Sequence, residues 1–254
     1  MLRFRNFLLN VESAEMQWGF FGDLKASLGH NQNERLNYGT APAFGGSPML
    51  YVPLIRGESP ISQTLASVRR MLSRTGMQCV KDGTAFNGWR CFPSPTGHKA
   101  DIMHTGEAHV TVALGAELQP IIEQAGQPAE RFLETVRLPN GQPLFDRGVG
   151  LEMPVKPLGK LIYGVAKAFQ GKPLVALMAV ECPSVLEVRR AVGLPPPRSG
   201  YIFHVTVGYA FGNWTDEDVT TRKAAPLATI KHNAGYLGQL PEWFEYIGSQ
   251  TIAA

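Results

Sequence analysis

The sequence predicts an α+β fold of two related lobes, and three observations predict it. The tetrapeptide His-Val-Thr-Val occurs twice, at positions 109–112 and 204–207, each time inside an apolar run. Each copy follows the same order of elements, a strand-like run and then a segment with helical spacing of apolar residues. The composition, 44% hydrophobic and 18% charged over 254 residues, is that of a chain with a real core.

Residues 1–48 read as an N-terminal extension, ending in a Gly/Pro/Asn-rich stretch, Asn37 to Pro48, expected to be loop. Residues 49–220 read as one bilobal domain whose lobes are not separable in sequence, and residues 221–254 as a tail packed on it through Trp243, Phe244 and Tyr246. Met49 to Ile55 has the composition of a strand. Pro60 to Arg74 carries Ile61, Leu65, Val68 and Leu72 at helical spacing, with Gly76 just beyond its end. A Gly/Pro-rich insertion, Asp82 to Gly106, leads into the first motif strand. Leu118 to Val136 predicts a helix interrupted around Gly126 and Pro128, and Leu138 to Gly159 a turn-rich region with short strands.

The order then recurs more tightly. Pro173 to Val180 reads as a strand, and Pro183 to Val192 as a helix closed by Gly193 and the Pro195-Pro196-Pro197 run. The second motif strand follows, and Thr215-Asp216-Glu217-Asp218 resembles a helix start. Both helices share a Val-Arg-Arg step, at Val68 to Arg70 and Val188 to Arg190, with the arginines expected on exposed faces.

In an extended strand, His and Thr two positions apart share a face. Strict alternation continues the face of His109 and Thr111 into Ala113 and Gly115, and that of His204 and Thr206 into Gly208 and Ala210. The opposite faces are apolar: Val110, Val112 and Leu114 in one copy, Val205, Val207, Tyr209 and Phe211 in the other. By the same parity Tyr201, Phe203 and Tyr209 point away from His204 into the core. Each strand thus has a core side and a side bearing an imidazole, a hydroxyl and empty room. Two such strands brought together make a cleft with two histidines and two threonines. A lone histidine of this kind is usually a packed residue; the pairing overturns that.

On these residues the chain resembles the 2H phosphoesterase superfamily, which includes RNA 2′,3′-cyclic phosphodiesterase-like enzymes. The likeness rests on His109-Val110-Thr111-Val112 and His204-Val205-Thr206-Val207, on the strand–helix–motif order of each half, and on Tyr201 to Val207 followed by Trp214-Thr215-Asp216. It covers residues 49 to 220. The resemblance implies two antiparallel sheets facing a central cleft, with helices outside. It implies metal-independent cleavage of a nucleotide or RNA-end phosphodiester: a 2′,3′-cyclic phosphate, a 2′–5′ linkage or a cyclic nucleotide. His109 and His204 are then the catalytic acid and base, and Thr111 and Thr206 the phosphate-binding hydroxyls. Some members carry a basic residue shortly after the motif; here Ala113 and Gly208 stand there. Lys99, Arg147, Lys156 and Arg198 are the alternative cations, and His104, Lys99, Trp89 and Trp214 the candidates for the rest of the cleft.

Two other readings compete. The same cleft could hold a terminal or cyclic phosphate without cleaving it. Alternatively Asp101, His104, Glu107 and His109 could ligate a metal, although their spacing matches neither an HExxH helix nor a zinc ribbon. The main reading requires no metal and no cofactor. A net charge of +3 is too mild to argue for long nucleic-acid tracts. Three separated cysteines, Cys79, Cys91 and Cys182, form no disulfide framework and favour a reducing compartment. No apolar run is long enough to span a bilayer, and the Met1 to Leu9 stretch lacks a clean cleavage site. The expected location is cytoplasmic, with no membrane partner and no obligate protein partner. No P-loop or dinucleotide fingerprint is present.

Overall fold

A computed structural model of the chain describes residues 34–41, 47–54, 59–73, 77–79, 91–92, 103–104, 108–147, 149–166, 174–210, 238–240 and 244–252. Twelve strands are defined among them: β1 (Asn37–Ala41), β2 (Ser47–Pro53), β3 (Gln78–Cys79), β4 (Cys91–Phe92), β5 (Met103–His104), β6 (His109–Ala113), β7 (Phe145–Asp146), β8 (Val149–Gly150), β9 (Lys156–Ala166), β10 (Leu174–Glu181), β11 (His204–Ala210) and β12 (Phe244–Thr251). The helices are α1 (Pro60–Ser73), α2 (Gly115–Ala125), α3 (Ala129–Thr135) and α4 (Val185–Ala191).

The fold is α+β. Eight strands form one antiparallel sheet in the order β1-β2-β6-β11-β10-β9-β12, with β3 also paired to β11. The pairs β4–β5 and β7–β8 stand apart as two small sheets. The large sheet has two halves, one around β6 and one around β11, joined by a single registered pair, Val205 opposite Val110. The two strands carrying the repeated motif are therefore neighbours, each at the inner border of its half.

Sequence patterning accounts for the core. Leu174-Val175-Ala176-Leu177-Met178-Ala179-Val180 is buried throughout, as a strand covered on both faces requires. In α1, Ile61, Leu65, Val68 and Leu72 form the apolar stripe, each at most 1% exposed, and the helix packs on β11, β9 and β3. The counterpart from the second half, α4, packs on β6 with Val185 and Val188 buried. Each half's helix thus covers the other half's motif strand, which ties the lobes into one core.

The helical break at Gly126 arises as expected: it adopts φ +64°, a left-handed cap that α2 needs and that other residues disfavour. Three expectations change. The stretch Asn37 to Pro48, expected to be loop, contains β1 and the start of β2, an edge hairpin whose Asn37 lies opposite Tyr51. Lys156–Ala166 is an eleven-residue strand, where turns were expected to run on to Gly159. The arginines of the repeated Val-Arg-Arg step are not all on exposed faces: Arg189 is only 5% exposed. The helix start expected at Thr215 lies outside the described residues.

Candidate active site

The pairing of Val110 with Val205 decides the site. Residues directly opposite in an antiparallel ladder point to the same face, so both valines lie on one side. Their chain neighbours His109, Thr111, His204 and Thr206 therefore share the other side. Burial follows this division. Val110 and Val205 are fully buried, whereas the two histidines and two threonines each keep part of their surface open. Counting outward from the valine pair sets His109 toward Thr206, and Thr111 toward His204, across the border between the halves.

Alternation fails immediately after each threonine. In β6, Thr111 lies opposite Tyr51 but Ala113 opposite Leu50, which leaves Val112 as a bulge. In β11, Thr206 lies opposite Leu177 but Gly208 opposite Ala176, which leaves Val207 as a bulge. The second valine of each motif is the extra residue, so the repeat extends to backbone irregularity. The side chains beyond each bulge exchange faces. Ala113 turns to the core, fully buried, and Leu114 is 40% exposed. Tyr209, opposite Val175, comes onto the side of Thr206. Strict alternation had sent Tyr209 to the opposite face, and bulges carry no reliable signature in a run of β-branched residues.

Arg189 holds the first bulge in shape. From α4 its Nη1 donates to the Val112 carbonyl at 2.9 Å, and its Nε donates to the Pro195 carbonyl at 3.1 Å. The same guanidinium grips Glu117 with Nη2 to Oε1 at 2.6 Å and Nη1 to Oε2 at 3.2 Å. Glu117 in turn accepts from the Leu114 N–H at the start of α2. Burial pushes the Glu117 carboxyl up, but the bonds from Arg189 and the Leu114 N–H outweigh it, and its pKa lies below the ordinary value. The repeated Val-Arg-Arg step was the sequence signal for this residue, misassigned to solvent.

Each histidine has an aromatic neighbour. The Tyr51 ring meets His109 edge-on at 5.9 Å between centroids, on the motif side of β2. Gly39 makes room for it, since a Cβ there would lie 3.3 Å from the Tyr51 ring. The Tyr201 ring lies 6.3 Å from His204, so Tyr201 borders the site instead of pointing away from it. Phe203 packs edge-on against Tyr201 at 5.3 Å.

His204 has a defined donor direction. Its Nδ1 lies 3.0 Å from the Ile202 carbonyl, an acceptor, so Nδ1 carries the proton and Nε2 keeps its lone pair in the neutral ring. Burial lowers the His204 pKa, and the bond to Ile202 only partly restores it. The neutral, proton-accepting form is favoured.

Of the other candidates, His104 lies in β5, paired with Cys91 in a small sheet apart from the main one. Lys99, Trp89 and Trp214 lie outside the described residues, as do Asp101 and Glu107 of the alternative metal set. Among the described residues no group of three or more His, Cys, Asp or Glu side chains is placed to hold a metal ion. Arg147, Lys156 and Arg198 are exposed, outside both motif strands.

Residues 93–213 match the family model described as Swiss Army Knife, 2H phosphoesterase domain, a span that includes both motifs. Over that span, just under half of the chain, the protein is similar to a 2H phosphoesterase domain. The resemblance read from the two motifs is thereby sustained, and phosphoesterase chemistry is the general activity that the domain supports. No curated protein and no solved structure matches the chain. No helix among the described residues is long and apolar enough to cross a membrane.

Proposed function

We propose that this protein is a metal-independent phosphodiesterase that acts on a nucleotide or RNA-end phosphodiester. The observation that carries the reading is the Val110–Val205 pair, which gathers two imidazoles and two hydroxyls onto one side of the sheet. In-line displacement at phosphorus needs a base on the attacking oxygen and an acid on the leaving oxygen. Two histidines on adjacent strands can supply both near neutral pH. The preferred substrates are a 2′,3′-cyclic phosphate, a 2′–5′ linkage or a cyclic nucleotide, in each of which a ribose oxygen is the leaving group.

His204 is the base in hydrolysis. Its Nδ1 proton is committed to Ile202, so its Nε2 lone pair takes a proton from water as the water oxygen bonds to phosphorus. His109 is the acid: it gives a proton to the departing ribose oxygen as the P–O bond breaks. Thr111 and Thr206 donate hydrogen bonds to the non-bridging oxygens, where charge accumulates. For a transesterification the two imidazoles exchange roles.

The test is turnover of 2′,3′-cyclic mononucleotides, 2′–5′ and 3′–5′ oligonucleotides and cyclic dinucleotides, with products resolved by chromatography. Cleavage of one class, lost in both His109→Ala and His204→Ala, is the expected result. Tight binding of a cyclic nucleotide without turnover would instead favour a recognition module.

A further inference from the structure

We propose that Gly238 is a positioning residue for the base: the main chain at Gly238 and Gln239 pins the turn at Gly200 and so holds the Ile202 carbonyl on His204 Nδ1. The inference rests on the reading of His204 as the base. It gives the C-terminal segment, beyond residue 213 where the family match ends, a share in the site.

A chain of main-chain contacts carries it. The Tyr201 N–H donates to the Arg198 carbonyl at 3.0 Å, closing a turn in which Gly200 takes φ +77°, a conformation that other residues rarely adopt. The Gln239 N–H donates to the Gly200 carbonyl at 2.7 Å. Gly238 lies so close to that same carbonyl that a Cβ on it would overlap the group, and would stand 3.0 Å from Ile202 Cγ1. Further along, the Phe203 carbonyl accepts from the Val180 N–H of β10 at 2.9 Å.

The segment from Gly200 to Phe203 is therefore held at both ends, by the C-terminal segment at one and by β10 at the other. Between these anchors the Ile202 carbonyl meets the His204 ring, whose Nδ1 lies 3.0 Å away. A neutral imidazole that donates from Nδ1 presents its lone pair at Nε2. Without such an acceptor the neutral ring in water favours the proton on Nε2, where it blocks the base. Holding the carbonyl in place before the reaction keeps the lone pair aimed at no cost when the substrate arrives. The crossing brings two main chains together, so a methyl group added at Gly238 meets a backbone carbonyl that no side-chain rotation can clear. Either the C-terminal segment or the turn must move.

Gly238→Ala tests this on the substrate that the wild type turns over best. It should lower kcat about three- to tenfold, as the loss of one neutral hydrogen bond implies, with KM changed less than about twofold. Nitrogen NMR of protein labelled in its histidine rings supplies a signature that a merely structural role would not move. Neutral His204 should carry its proton on Nδ1 in the wild type and shift toward Nε2 in Gly238→Ala. An unchanged kcat, a loss confined to KM, or an unchanged tautomer in the variant overturns the inference. Two measurements on the unsubstituted protein decide it even if Gly238→Ala does not fold. His204 protonated on Nε2, or a Gln239 amide that exchanges with solvent at the free-peptide rate, overturns it; Nδ1 protonation with a protected Gln239 amide sustains it. His204→Ala runs alongside: its inactivity with an unaffected Gly238→Ala removes the positioning role and leaves the enzymology standing. Full activity in His204→Ala removes the base itself, and this inference with it.

Discussion

The guanidinium of Arg189 donates to the Val112 carbonyl across 2.9 Å, so a helix of the second half fixes the backbone of the first motif. A bulge leaves main-chain groups outside the ladder, and a buried carbonyl without a donor is costly. Arg189 supplies that donor, and Glu117 balances its charge at 2.6 Å. The shape of the first motif is thus set in part by a residue more than seventy positions away, Arg189.

Arg189→Met should lower stability by about 3 kcal/mol, the low end for breaking a buried pair because the Glu117 side chain keeps 38% of its surface in water. Chemical denaturation measures the loss. Activity should fall beyond the unfolded fraction, because the Val112 bulge that orients Thr111 and His109 loses its donor. Arg189→Met with wild-type stability would show that the carbonyl is satisfied otherwise.

The Glu117–Arg189 pair should also mark the acid side of the stability profile. Glu117 has a folded-state pKa below its unfolded value. Its contribution is therefore complete above the ordinary carboxylate pKa and is lost as pH falls through the folded value. Melting curves of wild type and Glu117→Gln should differ near neutrality and converge as the pH is taken below the carboxylate range.

Replacing His109 or His204 by Ala should each reduce kcat/KM by about 10²–10⁴-fold, the usual worth of one proton-transfer partner. Both residues are partly, not fully, buried, so the melting temperature should change little. Steady-state kinetics with thermal melts separates the two effects. A chelator should leave the wild-type rate unchanged; inhibition by chelator, restored by a divalent ion, would point to metal hydrolysis.

The pH–rate profile should show its acid limb below 6.5. A base works only when deprotonated, and burial lowers the His204 pKa from that ordinary value, so the neutral ring persists to lower pH. The same shift means that the folded state favours neutral His204. That contribution is present above the ordinary histidine pKa and lost as pH falls through the folded one. An acid limb of kcat/KM centred above 6.5 would contradict the assignment of His204 as base.

Thr111→Val and Thr206→Val should each cost about 10²–10³-fold in kcat if the hydroxyls meet the developing charge, and the serine variants far less. Equal losses in the valine and serine variants would mean that the methyl groups matter, through packing on the sheet.

The α+β class, both motif strands, α1, the break between α2 and α3, and the sharing of one strand face by each motif's His and Thr were legible in the sequence. These rest on local patterns: helical spacing in Ile61, Leu65, Val68 and Leu72, an apolar run in β10, and His and Thr two positions apart. Only the tertiary structure decided that the motif strands are hydrogen-bonded neighbours, that bulges at Val112 and Val207 follow the threonines, that Tyr209 lies on the side of Thr206, and that Tyr201 and Arg189 border the motif strands. The physical reason is that a strand's own residues set its alternation, whereas the register against a partner decides where alternation breaks. That register depends on packing between segments far apart in the chain, and no local spacing records it.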